Sequence, residues 1–320
     1  RLLGAEVNSV ASMIEKEYVP NHCGVYFLHS DTELGHQIVN LLCEYYRKLG
    51  HSPVEGMAID DLQDQDPKRF RTKGLRNLAR QLCQVIRNHH ASTCAINATG
   101  GYKAQIALAV LLGQAVGVPV YYKHELFSEI IAFPPMPVAL DFEVWMRASG
   151  LLFALEKGEA PAADFEQEWD EKYESLVERV EIDGVVYLDL APTGQIFHET
   201  FRGRFSSQAD QVLPPPAQEG QKRSPKFSPK EAHLLAHRDK VERYLQRITD
   251  EVPQVIQCVT NYFNPDLPQP MRFVDTRSEI EGIYSDGTMT IKFRVDSTAR
   301  TDGQRAAVVA ALNQWLSENE

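Results

Sequence analysis

The five cysteines of this 320-residue chain, Cys23, Cys43, Cys83, Cys94 and Cys258, show neither Cys-x-x-Cys spacing nor the Cys/His spacing of a zinc site. That absence removes zinc modules and small disulfide frameworks, and it predicts reduced, mostly buried thiols in a cytoplasmic protein. No apolar run approaches the ~20 residues of a membrane-spanning helix. No signal peptide is visible, although the first residue is Arg1 rather than methionine, so a few residues can precede it. An overall basic charge is missing too: the net charge is −11. The acidity is confined to the front of the chain. Residues 222–320 carry 14 basic and 14 acidic residues, leaving 19 and 30 for residues 1–221. A neutral back end can still present one basic face to a nucleic acid.

The most informative stretch that is present is Asn97-Ala98-Thr99-Gly100-Gly101-Tyr102-Lys103. It lies between an apolar strand pattern at 92–96 and a helical pattern from about Ala104. Adjacent glycines let a backbone approach a ligand closely, and a helix start offers free N–H groups with the positive end of the dipole. Thr99 and Lys103 add a hydroxyl and a cation, so the turn has the parts of a phosphate cradle. It is not a Walker A loop, because its lysine follows a tyrosine and precedes an alanine.

The first 150 residues alternate strand and helix and predict a parallel, doubly wound α/β sheet. Strands are expected at 24–28, 54–59, 93–96 and 118–122, and helices at 33–49, 74–88 and 104–115. The turn Ser30-Asp31-Thr32 and the Gly-Gly turn both fall at strand C-terminal ends, where open α/β sheets bind ligands. From 151 onward the pattern changes. Helices at 152–155, 164–179 and 192–201 around a hairpin at 184–190 suggest a winged helix-turn-helix. Residues 206–229, with Pro214-Pro215-Pro216, predict a flexible or semi-extended linker. Beyond it the pattern predicts two helices over 229–263, strands at 272–275, 279–284 and 288–295, and a helix at 304–316: a small α+β domain.

His29-Ser30-Asp31-Thr32, Arg69-Phe70 with Gly74-Leu75, residues 97–103, Tyr121 through Glu125 and Phe133-Pro134-Pro135-Met136-Pro137 together resemble the CRISPR-associated Rossmann-fold (CARF) sensor domains, most closely their APE-type family. The resemblance covers roughly the first 140 residues. It implies a homodimer whose two-fold pocket takes cyclic oligoadenylate, most often cyclic tetra-adenylate, as an activator, with no further cofactor and no metal. By that resemblance Asn97, Thr99, Gly100, Gly101, Tyr102 and Lys103 hold the ligand, and Ser30, Asp31 and Thr32 line its rim.

Sensors of this kind are fused to an effector. The Arg-x4–6-His pattern of a HEPN ribonuclease is missing: His233 and His237 have no arginine four to seven positions before them. Restriction-type nuclease and deaminase patterns are missing as well. The element order of residues 230–320 is similar to that of a RelE-type mRNA interferase, and the whole layout resembles the sensor–winged-helix–RelE messenger RNA interferases. The expected organisation is a sensor at 1–148, a winged helix-turn-helix at 149–205, a linker at 206–229 and a RelE-like ribonuclease at 230–320. The resemblance implies cleavage of messenger RNA at the ribosomal A site, with Arg277 and Arg300 on the scissile phosphate and Arg272, Lys292 and Arg294 beside them. Arg305 either joins them or caps the last helix. Two alternatives remain open: a ring nuclease that degrades cyclic oligoadenylate, and a transcription regulator reading DNA through His198, Arg202 and Arg204.

Overall fold

The structure is a computed structural model that describes residues 4–63, 66–124, 126–137, 140–228, 238–265 and 267–320. His233 and His237 lie outside them. The chain forms two compact units, residues 1–140 with 191–200, and residues 141–190 with 201–320.

In the first unit α1 (Ala5–Glu15) precedes β1 (Val25–Ser30), α2 (Glu33–Lys48) and β2 (Val54–Ile59). β1 and β2 pair in parallel from Val25↔Val54 to Ser30↔Ile59. After β2 the chain turns into a continuous helical run: α3 (Pro67–Arg69), a π-helical turn (Phe70–Gly74) and α4 (Leu75–His89). Asp66 starts it by accepting the N–H groups of Lys68 and Arg69 at 3.0 and 3.1 Å. β3 (Ile96–Asn97), α5 (Lys103–Val116) and β4 (Val120–Tyr122) complete a second parallel crossover, and β5 (Ile131–Phe133) adds an antiparallel edge to β4. The expected parallel sheet is therefore present as two ladders, β1-β2 and β3-β4-β5, the second of mixed direction. Its core joins Leu78, Ala79 and Cys83 of α4, Leu108, Ala109 and Leu112 of α5, and Ile196.

The second unit opens with α6 (Phe142–Lys157), capped by Asp141, whose carboxylate accepts from the Val144 N–H at 3.1 Å. β6 (Ala160–Pro161), β7 (Val177–Ile182) and β8 (Val185–Leu190) form an antiparallel sheet in the order β6-β8-β7. Asp183 and Gly184, at φ 51° and 79°, make the tight turn of the expected hairpin. The helix expected at 164–179 is a correction. Two 3-10 segments (Ala162–Glu168 and Glu171–Leu176) lead into β7, whose β-branched Val177, Val180 and Ile182 favour a strand. α7 (Pro192–Val212) crosses from one unit to the other.

α8 (Arg238–Glu251) is followed by β9 (Val255–Asn264), β10 (Arg272–Asp275), β11 (Ile280–Ser285), β12 (Thr290–Ser297) and α9 (Asp302–Asn319). The second helix expected before Phe263 is thus a strand. β-branched and aromatic residues dominate Val255–Asn264, and the run pairs antiparallel with β12. The sheet order is β10-β11-β12-β9. α8 and α9 cover one face through Val241, Leu245, Ile248, Val308 and Leu312 against Ile291, Phe293 and Val295. α6 packs on α9 and β10, so it shares this core rather than heading a separate winged helix.

Both sheet edges are covered, which removes open strands that would pair with other chains. At the β10 edge, buried Asn313 accepts the Phe273 N–H at 2.8 Å and donates to the Phe273 carbonyl at 2.8 Å, the Val309 carbonyl at 3.0 Å and the Ser149 hydroxyl at 3.1 Å. At the β9 edge lies the expected linker, which is a second correction. The Arg223 N–H donates to the Ile256 carbonyl, the Lys226 N–H to the Cys258 carbonyl, and the Thr260 N–H back to the Lys226 carbonyl, at 2.9 to 3.0 Å. The backbone demand of β9 for partners orders a stretch whose composition reads as flexible.

The β11–β12 turn supplies a pH prediction. Asp286 accepts from the Thr288 hydroxyl at 2.8 Å, the Thr288 N–H at 3.2 Å and the Met289 N–H at 3.3 Å, with Lys240 at 3.5 Å. The Thr288 hydrogen bonds, helped by Met289 and Lys240, hold its carboxyl down at about 2. A depressed folded value gives stability that is complete above the unfolded value of about 3.9 and lost as pH falls toward 2. Asp286→Asn should cost roughly 1 kcal/mol at neutral pH after solvent screening. The gap in melting temperature to wild type should close between pH 4 and pH 2. A gap that stays constant over that range would refute the assignment.

Candidate functional site

Thr32 caps α2, its hydroxyl accepting the Gly35 N–H at 3.1 Å and meeting the Ser30 hydroxyl at 3.2 Å. Gly35 has to be glycine, since a Cβ there would stand 2.5 Å from the Ser30 carbonyl oxygen. Asp31 points outward and pairs with His36 at 2.7 Å. The rim expected at 30–32 is therefore a hydroxyl pair already bonded within itself, beside one exposed carboxylate.

At the Gly-Gly turn, roles divide. The Asn97 side-chain amide donates to the Ser9 hydroxyl at 2.7 Å, and its oxygen accepts from the Thr99 hydroxyl at 2.7 Å and the Thr99 N–H at 3.2 Å. The Thr99 hydroxyl accepts in turn from the Lys123 N–H at 3.1 Å. Asn97 and Thr99 thus tie α1, the end of β3 and the end of β4 together. Both side chains are held in place within the protein while remaining part-exposed. Gly101 takes φ 92°, a value that favours glycine. Tyr102 starts α5, and the Gln105 side chain accepts its N–H at 2.8 Å. The Gln105 N–H is accepted by the Tyr102 carbonyl at 2.9 Å, and the first turn of a helix carries N–H groups that lack an intrahelical acceptor. Gly101, Tyr102 and Lys103 are exposed, and Lys103 has no ion pair among the described residues.

Lys123 is a site candidate that sequence reasoning missed. Its ammonium donates to the Ser12 hydroxyl at 2.5 Å and the Ser128 carbonyl at 3.2 Å, next to the Thr99 tie. Only the tertiary fold reveals this, because Ser12 lies 111 positions away. Phe70 of the π-helical turn meets the Tyr102 ring edge-on at 5.6 Å, bringing the loop after β2 to the turn after β3. Glu6 stands beside Gly100, so the local charge is mixed. Among the described residues no hydrogen bond joins 30–32 to 97–103.

What this arrangement offers chemically is an anion cradle: a glycine backbone, an N-terminal helix dipole and two lysines on adjoining loops. Residues 1–136 match the family model of the CRISPR-associated protein Cas_APE2256. The match is to a CRISPR-associated family and takes in every strand and turn of the first unit described above, up to Met136. No curated protein matches the chain. Among solved structures, the crystal structure of protein VC1899 from Vibrio cholerae is similar at 9% identity, over 91% of this chain and 73% of that one, with a TM-score of 0.28.

In the second unit the five catalytic candidates separate. Arg272 is only 3% exposed. Its guanidinium pairs with Glu168 at 2.6 Å, donates to the Pro270 carbonyl at 2.9 Å and to the Asp164 carbonyl, and lies 4.5 Å over the Phe165 ring. With its donors engaged inside the protein, Arg272 is a structural residue rather than a phosphate contact. Lys292 and Arg294 share a face, as expected, while Ile291, Phe293 and Val295 are buried on the other. That face is neutralised: Lys292 pairs with Glu281 at 3.2 Å and Arg294 with Asp296 at 2.8 Å.

Arg277 is 82% exposed at its side chain and, among the described residues, makes one long ion pair, with Asp170 at 3.9 Å. Its φ is 70°, a left-handed value unusual outside glycine. Asp275 accepts its N–H at 2.9 Å, and Arg305 donates to its carbonyl at 2.8 Å while also pairing with Asp275 at 2.6 Å. Arg305 is thus a strut that holds Arg277 against the start of α9. Arg300 is exposed in the turn leading into that helix, its N–H held by the Gln304 side chain at 2.9 Å.

The residues considered for DNA reading are occupied. His198 is fully buried, Arg202 pairs with Glu156 at 3.0 Å and lies over Phe153, and Arg204 stacks on Phe142 at 5.0 Å. Recognition of a duplex needs such side chains free to reach phosphate and base edges.

Proposed function

We propose that the first unit is a cyclic oligoadenylate sensor, acting as a homodimer, and that it controls a RelE-type ribonuclease in the second unit. The observation that carries the sensor reading is the Gly100-Gly101 turn at the start of α5, with exposed Lys103 on the turn and Lys123 on the next strand end. Four phosphodiesters need directed N–H groups and a few cations, and this edge supplies both. The family match over the same residues supports it. For the effector, the support is a pair of exposed arginines, Arg277 and Arg300, flanking the start of α9. Cations of that kind stabilise the extra charge of a phosphorane, and the ribosome supplies substrate geometry.

The deciding experiment incubates the full chain with translating ribosomes or naked RNA, with and without cyclic tetra-adenylate, and maps the RNA ends. Ligand-dependent cuts in messenger RNA are the expected outcome. Cleavage of the cyclic ligand alone would replace this reading by the ring nuclease. Lys103→Ala should weaken cyclic tetra-adenylate binding by about 1.5–3 kcal/mol for each half of the symmetric pocket, read by calorimetry. Sedimentation should show a dimer with and without ligand. A monomer binding one ring would overturn the two-fold geometry.

A further inference from the structure

In the second unit, α8 and the β11–β12 turn border an open cleft of about 500 Å³ that no step above uses. It is lined by Lys240, Arg243 and Arg247 from one helix, by the Tyr244 and Tyr284 rings 4.5 Å apart, and by Asp286. The spacing of 240, 243 and 247 puts three cations on a single face of α8. Lys240 is 3.5 Å from Asp286, and Arg247 pairs with Glu251 at 2.8 Å and stacks on Trp315 at 5.3 Å. Among the described residues Arg243 gives only its Nε–H, to the Asp239 carbonyl at 3.1 Å, and is otherwise exposed. Asp286 is already engaged by Thr288, Met289 and Lys240, which leaves the Glu320 carboxylate as the opposing charge.

The second observation is Tyr244. Its side chain lines the cleft, the residue is 7% exposed, and its hydroxyl is buried with no hydrogen-bond partner among the described residues. A buried hydroxyl without a partner is destabilising, and phenylalanine would fill the same volume without it. The hydroxyl is therefore a donor waiting for an acceptor at a place where three cations gather. A volume near 500 Å³ suits a nucleotide-sized group.

We propose that this cleft binds a phosphate group carried by a nucleotide or by an RNA strand, with Arg243 and the Tyr244 hydroxyl as its donors. The site is separate from residues 97–103 and stands whether or not the sensor reading holds. The test is calorimetry on the full chain at low salt with inorganic phosphate, adenosine 5′-monophosphate, adenosine and a short single-stranded RNA as probes. A phosphate-bearing probe should bind saturably and adenosine should not. Tyr244→Phe and Arg243→Gln should each weaken that binding about tenfold or more, with the melting temperature of Tyr244→Phe at or above wild type. Lys103→Ala should leave it unchanged, which separates this site from the sensor. Binding of the mononucleotide identifies a free nucleotide as the ligand, and binding of RNA alone identifies a strand. Full affinity in Tyr244→Phe, equal binding of adenosine, or no binding by any probe would each overturn the proposal.

Discussion

Arg272→Ala should lower the unfolding free energy of the second unit by about 3–5 kcal/mol, because it leaves Glu168 as an uncompensated buried charge. The pair is buried on both sides, with side-chain exposures of 3% and 7%. Burial pushes the Glu168 carboxyl up, and the Arg272 guanidinium pulls it back. Removing the guanidinium also frees the Pro270 and Asp164 carbonyls and uncovers the Phe165 ring. Urea unfolding measures the loss. Arg272→Lys should recover little of it, since an ammonium cannot bond three acceptors across that span with a planar fork. The double variant Arg272→Met with Glu168→Leu should recover most of it, as apolar replacements of a buried pair often do. A single alanine variant as stable as wild type would mean that the arginine is not bound as described.

The second large effect concerns rate rather than stability. If Arg277 and Arg300 meet the scissile phosphate, Arg277→Ala or Arg300→Ala should each cut RNA cleavage by about 10²–10³. Cyclic tetra-adenylate binding and melting temperature should stay at wild-type values. Arg277 is exposed and keeps its strained φ as alanine, so no packing is lost with its side chain. Strain held in place by two neighbouring groups is characteristic of functional positions. Wild-type cleavage in the double variant would remove both residues from the mechanism. Arg305→Ala should also slow cleavage, but through the position of Arg277, and with a fall in melting temperature because Asp275, 2% exposed, keeps only Arg147, at 2.7 Å, of its two guanidinium partners.

Features set by local chemistry were legible in the sequence. The Asp183-Gly184 and Asp286-Gly287 hairpins, the Thr32 cap and the Gly100-Gly101 turn all depend on residues within four positions of one another. Features set by distant partners were not. Val255–Asn264 is a strand because β12 pairs with it, and residues 222–228 are ordered because β9 needs an edge partner. Arg272 reads as an exposed strand cation until the 3-10 segment at 162–168 closes over it. Asn97 and Thr99 have the right chemistry for a ligand, yet they are engaged by Ser9 and Lys123, which no local spacing reveals. Sequence identifies which donors exist, and packing decides which are left over.

The inclusion of residues 191–200 in the first unit bears on how such a gene can be rearranged. Ile196 fills part of that unit's core, and Glu199 holds Arg87 there, yet both are encoded after α6, β6, β7 and β8 of the other unit. A cut after residue 140 would deliver a first unit lacking its plug and a second unit carrying a stray helix start. Exchange of either half by a single recombination event is therefore disfavoured. New pairings of the two units would have to carry the whole stretch from 141 to 200 along with one of them, and that stretch would then be inherited together with it.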